Sequence, residues 1–299
     1  MDKVTLTIFT PTFNRATLLQ SGYEALCRQT CKDFCWLIID DGSTDNTEEV
    51  VKRWVAENKI PISYVYKENG GLHTGYNKAI ELMDSEICVC IDSDDWMPDD
   101  AVEIILESWS KYKELDVAGM VGYDYTKDGN RLGEQMQEGL IRHYIELKED
   151  KRYNFDNKIV MRVDLLKSVA PQPTFYGEKN FNPIWMILKI DQQLPFVLLD
   201  KTLCIVDYQA DGMAANIINQ FFNSPNSFVE LRKLYVSLKY TSLGWKIRNH
   251  IHLISQSLIA RKNAFNETPN AVITALLYPF GVALYVYMNY LHRGCKKRS

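Results

Sequence analysis

The chain lacks the two glycine patterns by which many nucleotide-binding α/β folds are found from sequence. Neither Gly-x-Gly-x-x-Gly nor Gly-Lys-Ser/Thr occurs in its 299 residues. The first pattern lets a helix N-terminus approach a dinucleotide, and the second belongs to the loop that cradles phosphates in P-loop enzymes. A dinucleotide-binding fold of the usual type and a P-loop enzyme are therefore disfavoured.

Histidine is scarce, and the cysteines do not form metal-binding pairs. Of five histidines, only His73 lies in a glycine turn where it could contact phosphate. Seven cysteines, an odd number with several inside apolar runs, indicate reduced thiols in a cytoplasm. Cys27, Cys31 and Cys35 are spaced by four without a second Cys/His pair, which disfavours a metal site. Met1 to Lys3 lead directly into a strand pattern, so we expect no secretion signal.

Acidic residues are almost absent from the C-terminal part of the chain. From residue 231 onward there are eleven lysines and arginines but one acidic residue, Glu267, although the whole chain carries a net charge of -4. Such asymmetry predicts an acidic partner for this region, either a membrane surface or nucleic acid.

The first 120 residues alternate between strand and helix patterns. Helical patterns separate five predicted strands, at 4–9, 34–39, 62–66, 87–91 and 117–122. Asp45 and Glu48 resemble a capping box for the helix that carries Val50 and Trp54. This alternation predicts a Rossmann-like, mostly parallel sheet covered by helices.

Polar clusters follow three of these strands, at 10–15, 40–43 and 92–95. In parallel α/β sheets, ligands bind beyond the carboxyl ends of the strands. Asp92 and Asp94 are two residues apart, so both point the same way in an extended chain and could bind Mg²⁺ or Mn²⁺ with a diphosphate. An acidic turn that caps the next helix is the alternative, and Asp95 is expected to cap that helix.

The order of these motifs resembles glycosyltransferase family 2, whose members have the GT-A fold. The resemblance covers about residues 3–115. Its motifs are Thr10-Pro11-Thr12-Phe13-Asn14-Arg15, Gln29-Thr30, the run Trp36 to Asp45, Asn69-Gly70-Gly71, Asn77 and Asp92-Ser93-Asp94. One departure is Gly75-Tyr76-Asn77, where many members have Ala-Arg-Asn; Lys67 or His73 could replace the missing arginine.

The resemblance implies a nucleoside-diphosphate sugar donor, most often a UDP-sugar, and a Mn²⁺ or Mg²⁺ cofactor. Asp94 would bind the metal directly, and Asp92 would lie at the ribose or in the metal shell. Asp41 would accept a hydrogen bond from uracil N3–H, while Asp40 could instead orient the turn. The nucleotide-binding residues implied are Thr10, Pro11, Thr12, Asn14, Arg15, Asp41, Lys67, Gly71, Asn77, Asp92 and Ser93.

The resemblance implies inversion at the anomeric carbon, and inversion of this type needs a carboxylate that takes the proton of the acceptor hydroxyl. Gly177-Glu178-Lys179 resembles the Glu/Asp-Asp site of the family, with a lysine in the second position. Glu178 is therefore the candidate base, and an acidic residue at a helix N-terminus is the alternative. Asp156 and Asp191 are weaker candidates. Residues 207–213 are expected to form either a loop that closes over the diphosphate or an ordinary connection.

The C-terminal part combines basic helical sequence with an uncharged stretch, 271–291. The stretch could span a bilayer, but Pro279, Gly281, Asn289 and four tyrosines dilute it, and a single span would place the terminal basic cluster outside. We therefore expect an in-plane helix on an anionic membrane, with a core helix as the alternative.

These observations predict a GT-A catalytic domain at 1–230, with a nucleotide-sugar half at 1–115 and an acceptor half at 116–230. A helical appendage follows at 231–299. The predicted protein is a cytoplasmic, inverting, metal-dependent glycosyltransferase, peripheral at the inner face of the plasma membrane. Its acceptor would be a saccharide or a polyprenyl-linked saccharide in cell-surface polysaccharide synthesis, and nucleic acid would not be a partner. The alternatives are a sugar nucleotidyltransferase and a non-catalytic nucleotide-sugar-binding module.

Overall fold

The computed structural model describes residues 4–209 and 217–296. The chain divides into two compact units. Unit 1 comprises Met1–Gln172 and Met186–Gln209, and unit 2 comprises Pro173–Trp185 and Ala210–Ser299. Residue 230, the predicted end of the catalytic domain, lies inside a helix of unit 2.

Unit 1 is built on one sheet of eight strands. The strands are β1 Leu6–Thr12, β2 Phe34–Asp40, β3 Ile62–Tyr66, β4 Ile87–Cys90, β5 Gly119–Thr126, β6 Ile141–Arg142, β7 Asn157–Arg162 and β8 Phe196–Val206. Their order across the sheet is β3-β2-β1-β4-β7-β5-β8-β6. The pairs within β1 to β4 are parallel, as is β5 with β8, whereas β7 is antiparallel to both β4 and β5.

Helices of unit 1 connect these strands. They are α1 Leu19–Arg28, α2 Thr47–Glu57, α3 Leu72–Leu82, α4 Ala101–Tyr112, α5 Tyr144–Glu149 and α6 Val163–Val169. A seventh helix, α7 Ile184–Asp191, crosses the division between the units. Fully buried aliphatic and aromatic side chains of the parallel strands, such as Ile8, Ile38 and Val89, form the core with helix residues such as Leu19 and Ile105.

Three local predictions differ from the structure. Strand β1 does not break at Thr10 but stays paired with β2 as far as Thr12, because Thr10, Pro11 and Thr12 remain in register with Ile38 to Asp40. The expected Asp45–Glu48 capping box is absent: α2 begins at Thr47, and the Asp45 carboxylate accepts hydrogen bonds from Thr47 N and Ala16 N. The fifth strand is also displaced, to Gly119–Thr126.

Unit 2 is helical. It contains α8 Ile217–Asn223, α9 Pro225–Ser237, α10 Leu243–Ile259, α11 Ala264–Glu267 and α12 Ala271–Lys296. Helices α10 and α12 approach closely, since a Cβ added at Gly281 would lie 2.4 Å from Ile254 Cγ2. Polar contacts join them, including His250 Nε2 to Thr274 Oγ1 at 3.0 Å.

Candidate active site

The carboxyl end of β1 contains one threonine that is fully used by the fold and one that is not. The Thr10 hydroxyl donates to Ile91 O at 2.8 Å and accepts from Trp36 Nε1 at 3.0 Å, so it ties β1 to its neighbouring strands. Thr12 Oγ1 is buried and has no hydrogen-bond partner among residues 4–209 and 217–296. Because buried polar groups are nearly always paired, Thr12 is the better candidate for ligand contact.

The loops after β1 and β2 are bound to each other. Asn14 has a positive φ of 53°. Its Oδ1 accepts a hydrogen bond from Thr44 N at 2.7 Å, and its main-chain N–H donates to Ser43 Oγ at 2.8 Å. Asp40 orients the turn: Oδ1 accepts from Ser43 N at 2.8 Å, and Oδ2 accepts from Tyr64 Oη at 2.6 Å. The two acidic residues after β2 therefore have separate tasks.

Asp41 organises the glycine turn before α3. It is 4% exposed, and its carboxylate accepts from Gly70 N at 3.0 Å and Gly71 N at 2.7 Å and pairs with Lys67. Gly71 has φ 93°, a conformation that favours glycine and turns its amide toward Asp41. Asn69 Oδ1, in the same turn, is buried without a hydrogen-bond partner in the described part of the chain.

Asn77 is used within unit 1. Its Nδ2 donates to Gln172 O at 2.9 Å, and its Oδ1 accepts from Gln172 N at 2.8 Å. Both polar side-chain atoms are therefore engaged by main chain, and contact with a nucleotide stays a prediction. Tyr76, at the position where the motif resemblance expects an arginine, is partly buried and packs edge-on against Phe9.

The acidic turn after β4 gathers negative charge. Burial raises the pKa of Asp94; the charges of Asp92 and Asp207 add to this shift, while nearby Arg15 opposes it. A carboxylate with a raised pKa among other carboxylates gains from a cation, and hard oxygen donors suit Mg²⁺ or Mn²⁺. The donor set of Asp92 and Asp94 therefore fits the implied metal.

The described residues alone do not form a complete metal site. Within 4–209 and 217–296 there is no group of three or more His, Cys, Asp or Glu side chains that could hold a metal ion. Mg²⁺ in nucleotide enzymes is usually held by one or two carboxylates together with phosphate oxygens and water. The two carboxylates are therefore compatible with a cation that arrives with a diphosphate.

A buried lysine lies among the carboxylates of unit 1. Lys158, on β7, has its Nζ 3.6 Å from Asp95 Oδ2 and 3.9 Å from Asp124 Oδ2. Although burial opposes the shift, the carboxylates raise the pKa of Lys158 well above its usual value. Burial raises the pKa of Asp95 to about 7 and that of Asp124 to about 6, and the lysine limits both shifts.

Asp95 does not cap α4, as the sequence had predicted. Helix α4 begins at Ala101, whereas Asp95 accepts from Asp207 N at 3.3 Å and faces Lys158. The carboxylate is therefore turned into the protein, where a cation is available. Lys158 and Asp124 were missed because each lies alone in its strand without a neighbouring motif, and only the sheet order brings β5 and β7 together.

Glu178, the candidate base, lies in unit 2 and binds the start of α9. Its Oε1 accepts from Asn226 N at 2.9 Å and Nδ2 at 2.7 Å, and its Oε2 accepts from Ser227 N at 2.8 Å and Oγ at 2.7 Å. This is the expected helix-terminal alternative, but at α9 and not at α7. Lys179 is exposed.

The two weaker base candidates differ in environment. Asp191 is fully buried and accepts from Tyr144 N at 2.6 Å at the start of α5, so it is an internal anchor. Asp156 is exposed and accepts from Tyr208 Oη at 2.7 Å. Within the predicted closing loop, 207–213, residues 210–213 lie outside the described residues.

Comparison with known proteins places the fold in a family. The sequence model described as "Glycosyl transferase family 2" matches residues 7–169, more than half of the chain. The chain belongs to glycosyltransferase family 2. This confirms the family predicted from the motifs.

Curated relatives of this family 2 chain match it over its N-terminal region. It is 27% identical over 173 residues to a chondroitin synthase and to a hyaluronan synthase of Pasteurella multocida, matches that cover 53% of the chain and 18% of either synthase. It is 31% identical over 117 residues to the glycosyltransferase GlyA of Streptococcus pneumoniae, covering 39% of the chain and 16% of GlyA. The chain thus spans less than a fifth of the length of these relatives.

Solved structures match most of the family 2 chain. Staphylococcus aureus TarS 1–349 in complex with UDP-GlcNAc superposes with a TM-score of 0.61 at 13% identity, covering 95% of this chain and 81% of TarS 1–349. The mannosyltransferase PcManGT of Pyrobaculum calidifontis, in complex with GDP-Man and Mn²⁺, gives 0.55 at 17% identity, covering 97% and 83%. The predicted GT-A fold is confirmed.

Proposed function

We propose that the protein is an inverting, metal-dependent glycosyltransferase that uses a UDP-linked sugar as its nucleoside-diphosphate donor. The observation that carries this proposal is the convergence of Thr12, Asp41 and the Asp92–Asp94 turn at the carboxyl ends of β1, β2 and β4, respectively, which are parallel strands side by side in the sheet. Membership of family 2 and the nucleotide-sugar complexes of TarS and PcManGT support it.

On this proposal the nucleotide is held by the loops after β1 and β2. Thr12 offers its hydroxyl, which has no partner among the described residues, and Arg15, whose charge lowers the pKa of Asp94, would bind the diphosphate. Asp41 Oδ2 accepts one hydrogen bond in the described structure, from Gly71, so it retains capacity for uracil N3–H. Cytosine has no N–H at that position and would be rejected.

The metal and the acceptor base complete the proposed reaction. Asp94 and Asp92 would hold Mn²⁺ or Mg²⁺, which offsets charge on the leaving diphosphate. A carboxylate then takes the proton of the acceptor hydroxyl as the new glycosidic bond forms on the opposite face of the sugar. The sequence assigns this step to Glu178. Because its carboxylate already accepts hydrogen bonds from the start of α9, mutation of Glu178 is needed to test the assignment.

The proposed acceptor is a saccharide or a lipid-linked saccharide in polysaccharide synthesis. Support comes from the names of the matched relatives, which include chondroitin and hyaluronan synthases. The alternative that differs in class is a nucleotide-sugar-binding module without turnover, which Lys179 and the engaged Glu178 carboxylate favour. Donor hydrolysis or transfer by the pure protein would exclude that alternative.

Thermal unfolding with a panel of nucleoside diphosphates, with and without Mn²⁺, tests the donor site. We expect UDP with Mn²⁺ to stabilise the protein, by roughly 2.7 kcal/mol when UDP is at about 100 times its Kd. The Asp94→Asn variant should lose the part of this stabilisation that depends on Mn²⁺. Asp33→Asn is the matched control, because Asp33 is an exposed carboxylate before β2, at the opposite end of the strand from Asp40.

The pattern of shifts in thermal stability identifies the nucleobase of the donor and the metal dependence separately. Stabilisation by another nucleotide would change the assigned nucleobase from uracil and would leave the proposed enzyme class unchanged. A shift that is equal in Asp94→Asn and Asp33→Asn would remove the metal assignment. No shift with any nucleotide would overturn the proposal of an active transferase.

We also propose that unit 2 binds an anionic membrane surface at the cytoplasmic face of the plasma membrane. Helix α12 is long and apolar enough to cross a membrane by length and composition, and 17% of its apolar window is buried. Its solvent-facing side from 271 to 290 is uncharged; the large exposed side chains are Val272, Ile273, Leu276, Phe280, Val286, Tyr287 and Tyr290. Its inner side contains polar Thr274.

The position of charged residues near α12 favours an orientation in which the helix lies in the plane of the membrane surface. An amphipathic helix at an interface buries its apolar face and keeps basic residues among the headgroups. Co-sedimentation with phosphatidylglycerol vesicles should capture the protein, whereas phosphatidylcholine vesicles should not. Leu276→Ser/Phe280→Ser should abolish capture, while Leu115→Ser/Phe155→Ser, which removes an exposed leucine and an exposed phenylalanine from unit 1, should not. Equal capture of both double variants would contradict the proposal.

A further inference from the structure

Helices α9 and α10 of unit 2 enclose a cluster of basic and aromatic side chains. Arg232 and Tyr235 are three residues apart on α9, and Trp245, Arg248, Asn249 and His252 repeat on one face of α10. None of these residues has a part in the proposed donor site. The cluster therefore needs an explanation of its own.

Arg232 is a partly buried cation that has no anionic partner among the described residues, 4–209 and 217–296. One guanidinium nitrogen donates to Asn249 Oδ1, and the group lies 5.3 Å from the ring centroid of Tyr235. Its Nε atom is buried and has no hydrogen-bond partner within the described ranges, 4–209 and 217–296. Over the same ranges, no ion pair joins a carboxylate to either Arg232 or Arg248.

A second buried nitrogen in the cluster is also unsatisfied. His252 Nδ1 has no hydrogen-bond partner within the part of the chain that the structure describes. Burial, and then the charges of Arg232 and Arg248, lower the pKa of His252 to about 4, so the imidazole is neutral at pH 7. Two inward-facing nitrogen atoms without partners are unusual, because buried polar groups are normally paired.

Comparison with Lys158 shows what the cluster lacks. Lys158 is buried and Arg232 is partly buried, but Lys158 faces Asp95 and Asp124, and its pKa is raised well above its usual value. The pKa of Arg232 is lowered by burial and by neighbouring Arg248, and only Tyr235 opposes that shift. Removing a charge from water without a partner is costly, so an anion at Arg232 would be strongly favoured.

We propose that Arg232, Arg248 and His252 form an anion-binding site for a phosphate group, either free or in a lipid headgroup. Arginine recognises phosphate through parallel N–H donors, which are available on Arg232 at Nε and on Arg248. Arg248 is exposed and stacks over Trp245 at 5.0 Å, so the site is open to solvent on that side. The site is independent of the donor site in unit 1.

Thermal unfolding of the full chain tests this site with two probes at matched ionic strength. The probes are inorganic phosphate and monomeric dihexanoyl phosphatidic acid, each compared with chloride. We expect saturating probe to raise Tm by roughly 5 °C. Arg248→Gln should lose this rise, and because Arg248 is exposed, the variant is expected to fold. Lys246→Gln removes an exposed cation from the same helix outside the cluster and should keep the rise.

A second variant and a second readout exclude a general salt effect. Arg232→Gln should also abolish the rise, with no lower Tm than wild type in chloride, since it removes a partly buried charge that has no carboxylate partner among the described residues. In NMR titrations, bound phosphate should raise the pKa of His252 toward its ordinary value. A rise with inorganic phosphate, alone or together with the lipid, supports a site for free phosphate, and a rise with the lipid alone supports a site for a headgroup phosphate. No rise in wild type, or equal rises in Arg248→Gln and Lys246→Gln, overturns the proposal.

Discussion

Glu178 binds α9 with both oxygen atoms of its carboxylate, and this contact makes proton abstraction by Glu178 less favourable. The four donors belong to Asn226 and Ser227, which are the second and third residues of the helix. A carboxylate at this position satisfies main-chain N–H groups and interacts favourably with the helix dipole. Taking a proton from an acceptor would weaken these hydrogen bonds.

We predict that Glu178→Gln lowers the stability of the protein by about 2 kcal/mol. The reason is that the glutamine NH₂ group faces N–H donors where the carboxylate accepted hydrogen bonds. Urea unfolding measures the loss. Ser227→Ala, which removes one hydroxyl donor and keeps the carboxylate, should cost less.

The same pair of variants decides the catalytic assignment. Loss of a general base reduces turnover by about 10² to 10⁴. If Glu178→Gln loses turnover on that scale at a temperature where the protein stays folded, while Ser227→Ala retains it, Glu178 is the base. If Glu178→Gln remains folded and active, the base is another carboxylate.

Site residues that lie in sequence motifs could be predicted, whereas site residues that only the folded sheet brings together could not. The turn after β4 and the paired aspartates after β2 were found because each follows a strand directly. Lys158 and Asp124 contribute one charge each from strands far along the chain. Their proximity depends on the antiparallel insertion of β7, which no local pattern in the sequence indicates.

At the scale of secondary structure, the parallel strands were predictable because their apolar runs are continuous and separated by helices with clear periodicity. Strand β6 has two residues, and β7 lies directly before a helix, so neither provides enough pattern for detection. Helix α12 was recognised by its lack of charge. Its orientation, with an uncharged outer side and polar contacts to α10, required the structure.

The stability of the whole molecule should depend on Asp124. Its pKa is raised to about 6 by burial, so the folded state keeps a proton that the unfolded chain loses near pH 4. The contribution of Asp124 is fully present below about pH 4 and is lost as pH rises toward 6.

We predict that the unfolding free energy of wild type minus that of Asp124→Asn falls by on the order of 2 kcal/mol between about pH 4 and pH 6. Asparagine has the same shape and does not titrate. Urea unfolding across this pH range measures the difference. Asp128→Asn, on an exposed turn, should change nothing, and a parallel pH dependence for both variants would contradict the raised pKa.

The position of β7 also affects the order in which the chain can fold during synthesis. Strand β4 pairs with β1 on one side and waits for β7 on the other, some seventy residues later in translation. Until Arg162 has left the ribosome, Ile87 to Val89 form an open, apolar edge, and such edges recruit other chains. Nascent chains that end before β7 should therefore be chaperone clients, whereas chains that include it can close the sheet.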